Sequence, residues 1–181
     1  MAIPPSSAVM PRRPVAPFMR QEQSSLESRG TFLLHGCGLV RNGRAFLFLA
    51  RSGGGKSTLA RICRDQTDCL SDEHLLLDTK RLRLSAPPCC PSAAFPEGAP
   101  LATAFLLQKT PDLVIAPVGA AELLSVLMRE LYPSSWDPEH ARRLLDKAGK
   151  AARDIPAFTL GFALTTDPEA LWNAIRGSTK S

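Results

Sequence analysis

Residues 46–58 run Phe-Leu-Phe-Leu-Ala-Arg-Ser-Gly-Gly-Gly-Lys-Ser-Thr, and their types and spacing suit one chemistry, the holding of a polyphosphate. Glycines have no Cβ, so their N–H groups can curl around an anion, and a following helix points its positive end at the same place. Lys56 is spaced to reach the β- and γ-phosphates, and the Ser57 hydroxyl to ligate Mg²⁺. The nucleotide-binding set is therefore Ser52, Gly53, Gly54, Gly55, Lys56, Ser57 and Thr58. The strict pattern asks for a glycine six residues before the lysine, where this chain has Ala50. Alanine is tolerable there provided its backbone stays in the β region. An apolar strand pattern precedes the loop and a helical pattern follows it, as the mechanism requires. Two plainer readings stand beside this one: a glycine turn next to an unrelated lysine, and a loop that folds without turning nucleotide over.

A phosphate loop needs a partner carboxylate. Asp72 follows Cys69-Leu70-Ser71 fifteen residues beyond Ser57, where a Mg²⁺-holding aspartate belongs in such folds. Glu73 stands next to it. One acid can complete a metal site with Ser57, and the second makes sense if a hydroxyl nucleophile must lose its proton. The plain alternative is a pair of solvated acids in a turn. His35, in Leu34-His35-Gly36, has small neighbours that leave room for a ligand, although a strand histidine taken alone is usually structural.

These residues need elements to position them. Residues 1–28 hold five prolines and several serines and are expected to be a tail with neither helix nor packed strand. Residues 31–40 and 44–50 are β-type runs joined by Asn42-Gly43, a strong hairpin signal. A helix is expected from Lys56 to about Arg64, then a strand over 69–77 running through the acidic pair, then a half-exposed strand over 81–84. Residues 85–100, rich in proline and small side chains, are expected to be a long loop. Strands over 101–107 and 113–116 precede an amphipathic helix over 119–132. Asp137-Pro138-Glu139 supplies an N-cap, a proline at the first helical position and an acidic first turn for a helix to about Arg153. A last strand over 158–164 leads to the same start signal at Asp167-Pro168-Glu169. The sum is an α/β domain over 29–181, with a mixed sheet and flanking helices, opened by a hairpin rather than by a βαβ unit.

Composition narrows the classes. The 181 residues are 44% hydrophobic and 22% charged with a net charge of +5, which describes an ordinary globular domain. No basic block appears and aromatics are 6%, so no nucleic-acid footprint is present. No apolar run is long enough to span a membrane, and the first thirty residues lack the apolar core of a secretory signal. Five cysteines, Cys37, Cys63, Cys69, Cys89 and Cys90, form an odd set without a repeated Cys-x-x-Cys and are expected to be free thiols in a reducing cytoplasm. Arg142, Arg143, Lys147, Lys150 and Arg153 can clamp phosphates as a kinase lid does, or form a solvated helix face. Arg51 and Arg129 are unranked further candidates.

The set His35-Gly36, Asn42-Gly43, Ser52-Gly53-Gly54-Gly55-Lys56-Ser57 and Ser71-Asp72-Glu73 resembles the HPr kinase/phosphorylase family and its shorter relatives. That family carries a His-Gly dipeptide before the phosphate loop and an Asp-Asp pair on the next strand. The resemblance covers about residues 31–77 well, and the remainder looks like the small stand-alone kinases related to the family. It implies a fold shared with phosphoenolpyruvate carboxykinases and phosphoryl transfer from ATP, with Mg²⁺, to a serine-type hydroxyl of a peptide, protein or small molecule. It also implies Asp72 as the metal-side acid, Glu73 as the proton acceptor and His35 as a partner of that acid pair. Related enzymes assemble, which leaves a homo-oligomer open. Glu73 replaces the family's second aspartate, Ala50 the first loop glycine, and no match to the family's protein-substrate signature is present, which speaks against HPr itself as substrate. The chain also lacks a Leu-Ser-Gly-Gly-Gln transporter signature and an Asn-Lys-x-Asp guanine-reading motif. The expectation is an ATP-dependent kinase. The alternative is a non-catalytic or weakly hydrolysing nucleotide-binding module that regulates a partner protein.

Overall fold

A computed structural model of the chain describes residues 16–89 and 91–178. The elements are α1 (Ala16–Arg29), β1 (Thr31–His35), β2 (Cys37–Arg41), β3 (Arg44–Leu49), α2 (Lys56–Ile62), β4 (Asp68–Ser71), β5 (His74–Asp78), β6 (Arg83–Ser85), β7 (Ala99–Lys109), β8 (Val114–Pro117), α3 (Ala120–Glu130), α4 (Pro138–Asp154), β9 (Ala157–Phe162) and α5 (Pro168–Ser178). Among the described residues no helix is long and apolar enough to cross a membrane.

Asn42 and Gly43 both have positive φ, 52° and 71°, which matches the right-handed twist of the strands they join and closes the β2–β3 hairpin. The described strands form one mixed sheet. Its main run is β4-β2-β3-β7-β9-β8, in which β3, β7 and β9 are parallel. A second run, β1-β5-β6, joins it where Arg83 and Leu84 face Pro100 and Ala99 at the start of β7. The protein is thus α/β with a mixed sheet and flanking helices.

The strand leading into the glycine loop is buried on both faces, which is why its sequence is a continuous apolar run. Phe46 and Phe48 pack with Phe105, Leu160 and the α5 residues Leu171, Trp172 and Ile175, while Leu47 and Leu49 pack with Leu75, Leu77, Leu123, Leu127 and Ala148. Phe48 stacks on Phe105 with ring centres 5.4 Å apart. Helices therefore cover both faces, and the end of β3 is held rigidly where the loop begins.

Two runs expected as single strands are each broken. Residues 31–40 divide at Gly36 into β1 and β2, and residues 69–77 divide at Asp72-Glu73 into β4 and β5. The cause is pairing: His35 faces His74 in one antiparallel ladder, Gly38 faces Ser71 in the next, and the Gly36 N–H donates to the Glu73 carbonyl at 3.0 Å between them. Both strands bend together, so His35 and the acidic pair come to one corner.

The expectation of no helix within residues 1–28 is corrected over residues 16–28, which belong to α1; residues 1–15 lie outside the described residues. Pro17, the last proline of the segment, falls in the first helical turn, where its missing N–H is harmless, and no glycine or proline follows before Gly30. The helix is pinned by a buried carboxylate. Glu27 accepts from the Ser134 N–H at 2.8 Å and from the Ser134 hydroxyl, and pairs with His140 Nε2 at 2.8 Å. Lys147 donates to the Glu27 carbonyl at 2.7 Å.

Candidate functional site

Past Leu49 the chain must reverse within a few residues to start α2, and the glycines allow it. The Gly54 N–H donates to the Arg51 carbonyl at 2.8 Å, and Gly53 and Gly55 take φ of 72° and 100°. A Cβ on Gly54 would lie 2.6 Å from the Ala50 Cβ and 2.8 Å from the Arg51 oxygen, so no larger residue fits. Ala50 itself is not among the residues with positive φ, which is the condition for alanine to replace the pattern's first glycine. Lys56, at the start of α2, is buried and donates from Nζ to the Ala50 carbonyl at 2.6 Å, folding back across the loop. Burial pulls its ammonium below the usual lysine range, and the nearby Glu130 carboxylate opposes that pull.

Across from the loop, Asp72 and Glu73 are exposed at the corner between β4 and β5. Ser71 Oγ shapes that corner by accepting from the Glu73 and His74 N–H groups at 3.2 and 3.1 Å. Loop and corner enclose one cleft of about 1020 Å³, lined by residues 52–58, His35, Asp72 and Glu73. All the site residues expected from the sequence thus line a single space.

His35 lines the cleft, but its hydrogen bond goes elsewhere than to the acid pair. Nδ1 meets Glu130 Oε2 at 3.1 Å, and Glu130 Oε1 accepts from Arg129 Nε at 2.8 Å. His35 Nδ1 is thus engaged by Glu130 of α3, while the ring shares the cleft lining with Asp72 and Glu73. Around it, burial lowers the His74 imidazole's proton affinity, with Glu73 opposing, while burial and the Glu73 and Glu130 charges raise the Tyr132 phenol. The Tyr132 ring lies 5.5 Å from His74 and 6.5 Å from His35.

Sequence reasoning missed Glu130 and the rest of the cleft wall, which is formed by Gln108 and Lys109 at the end of β7, Thr110 and Pro111 just after it, Phe162 at the end of β9, and Ala163 and Leu164 just after that. A signal for Glu130 was present: with Leu123 and Leu127 it forms an i, i+4, i+7 stripe on the buried face of α3. Lys109 carries no comparable mark.

The basic residues of α4 do not line the cleft. Arg143 pairs with Glu139 at 2.6 Å, Lys147 holds the end of α1, and Arg142, Lys150 and Arg153 are exposed on the helix surface. Arg51 is exposed and is not among the residues lining the cleft. Cys37, Cys63 and Cys69 are free thiols and Cys89 is exposed; Cys90 lies outside the described residues. Burial pushes the Cys63 thiol up to about 11, and a hydrogen bond with Cys69 together with burial raises Cys37 well above the usual thiol range.

The donor set fits a magnesium nucleotide. A Cβ at Gly53 would meet nothing within 4 Å, so that backbone faces open space. The Ser57 hydroxyl and Asp72 carboxylate are hard oxygen donors on one cleft, and Mg²⁺ takes only one or two protein oxygens beside phosphates and waters. Among the described residues no group of three or more His, Cys, Asp and Glu side chains is placed to hold a metal. Compared with models of protein families and with curated proteins, the chain matches none.

Proposed function

We propose that this chain is an ATP-dependent, cytoplasmic kinase of the HPr-kinase-like type, transferring the γ-phosphoryl group to a serine-type hydroxyl. The observation that carries the reading is the convergence, on one cleft, of the glycine loop, Lys56 and Ser57 with Asp72, Glu73 and His35, which come from separate elements.

The backbone amides of residues 53–56 and the Lys56 ammonium bind the phosphate chain, and Lys56 exchanges its Ala50 carbonyl for a phosphate oxygen as the nucleotide enters. Ser57 and Asp72 hold Mg²⁺, which when bound neutralises charge on the phosphate oxygens. Glu73 accepts the proton of the acceptor hydroxyl as its oxygen bonds the γ-phosphorus. The bond from that phosphorus to the bridging oxygen breaks, and the electron pair leaves on the diphosphate. Transfer of this kind depends mainly on positioning and charge neutralisation, which this set supplies.

Incubation with γ-labelled ATP and serine-bearing acceptors tests the reading. Transfer is expected from the native chain and from no Glu73→Gln preparation, while that variant still binds nucleotide. Nucleotide binding with neither transfer nor hydrolysis in the native chain would replace the kinase with a nucleotide-responsive binding module.

A further inference from the structure

Glu130 is a carboxylate only 6% exposed, at the C-terminal end of α3. That is the wrong end of a helix for an anion, because the last carbonyls already carry negative partial charge. Burial adds a further penalty unless partners compensate. Two side chains supply the compensation: Arg129 Nε at 2.8 Å and His35 Nδ1 at 3.1 Å. The arrangement is held from both sides. Leu131 bridges Leu34 of β1, and the Tyr132 N–H donates to the Leu33 carbonyl at 3.0 Å, which docks the end of α3 beside His35.

A carboxylate can only accept, so His35 Nδ1 must be the donor. A neutral imidazole then has its lone pair on Nε2. Among the described residues that nitrogen has no hydrogen-bond partner, and the ring lines the cleft beside Glu73. We propose that Glu130 is a positioning residue that fixes the His35 tautomer, leaving Nε2 open to the cleft as the resting place for the proton released by the acceptor hydroxyl. The proton passes from the hydroxyl to the Glu73 carboxylate and from there to Nε2. This leaves Glu73 ionised again and an imidazolium beside the Glu130 carboxylate until water removes the proton. The final role rests on the kinase reading; the tautomer does not.

Nitrogen-15 NMR of histidine-labelled full-length chain tests both. The chain has three histidines, and a His35→Asn sample assigns the signal of interest. His35 should carry its proton on Nδ1 in the native chain and in Glu130→Gln, whose amide oxygen can accept the same bond. The tautomers should mix in Glu130→Ala. Glu130→Gln should lower kcat for transfer at least about tenfold while the Michaelis constant for ATP stays within about twofold. A native His35 protonated on Nε2 would overturn the positioning role even if Glu130→Ala does not fold, and so would an unchanged tautomer in Glu130→Ala. Unchanged kcat in Glu130→Gln would overturn the proton route. A native chain with the expected tautomer and no transfer would sink the kinase reading and the proton route together, and leave the positioning role supported.

Discussion

At the residue scale the account rests on a few atoms around the glycine loop. Lys56 bridges back to the Ala50 carbonyl, and that contact holds the ammonium ready where a phosphate chain would enter. Lys56→Ala should weaken binding of a fluorescent ATP analogue by at least tenfold, a loss of about 1.4 kcal/mol or more. Gly54→Ala should do comparable damage through a different cause. Its Cβ would sit 2.6 Å from the Ala50 Cβ and 2.8 Å from a backbone oxygen that cannot move aside without reshaping the turn. Ala50→Gly removes a methyl group from a backbone that does not need positive φ, so the same titration should change by no more than about twofold. These variants separate the loop's shape from its charge. The triple glycine was readable as a tight strand-to-helix turn because positive φ at Gly53 and Gly55 and the absence of room for a Cβ at Gly54 are local backbone demands. Glu130 was not read from the sequence, since its meaning depends on a partner 95 residues away.

At the element scale, the structure turns on where strands bend. Alternation and apolar runs located β3 and the hairpin, yet they treated residues 31–40 and 69–77 as continuous. Nothing in either run announces a break, because Gly36 and the Asp72-Glu73 corner are set by the pairing of the two ladders with each other. The same long-range pairing brings His35 to the acids, so the candidate site was legible as residues and not as an arrangement. Helix starts were legible because their chemistry is local. Asp137 accepts from the His140 N–H at 2.9 Å, with Pro138 opening α4. That backbone hydrogen bond, with one from Ser135, holds the Asp137 carboxyl below the usual carboxylate range. The folded state therefore binds this proton less readily than the unfolded chain, so the stabilisation is present above the ordinary aspartate range and is lost as pH falls below it, through the lowered folded-state value. Thermal melts of Asp137→Ala should show a lowered midpoint at neutral pH, and the gap from the native chain should narrow on acidification below the ordinary aspartate range.

At the scale of the whole molecule, one sheet with helices on both faces fixes the loop on one side and the acidic corner on the other. Phe48 is fully buried one residue before the end of β3 and stacked on Phe105, so Phe48→Ala should cost about 3–5 kcal/mol in denaturant unfolding. Helix α1, which local composition hid behind its prolines, is part of the same body through Glu27. Glu27→Ala removes a buried partner from His140 and Ser134 and should cost about 3–5 kcal/mol. The cleft these elements build is the reason to read the chain as a nucleotide enzyme. Isothermal titration of the full chain with ATP, with and without Mg²⁺, tests that most directly. The account predicts saturable one-to-one binding that weakens when Mg²⁺ is withheld and is lost in Lys56→Ala. Absence of binding in the native chain, or binding that survives Lys56→Ala unchanged, would contradict it.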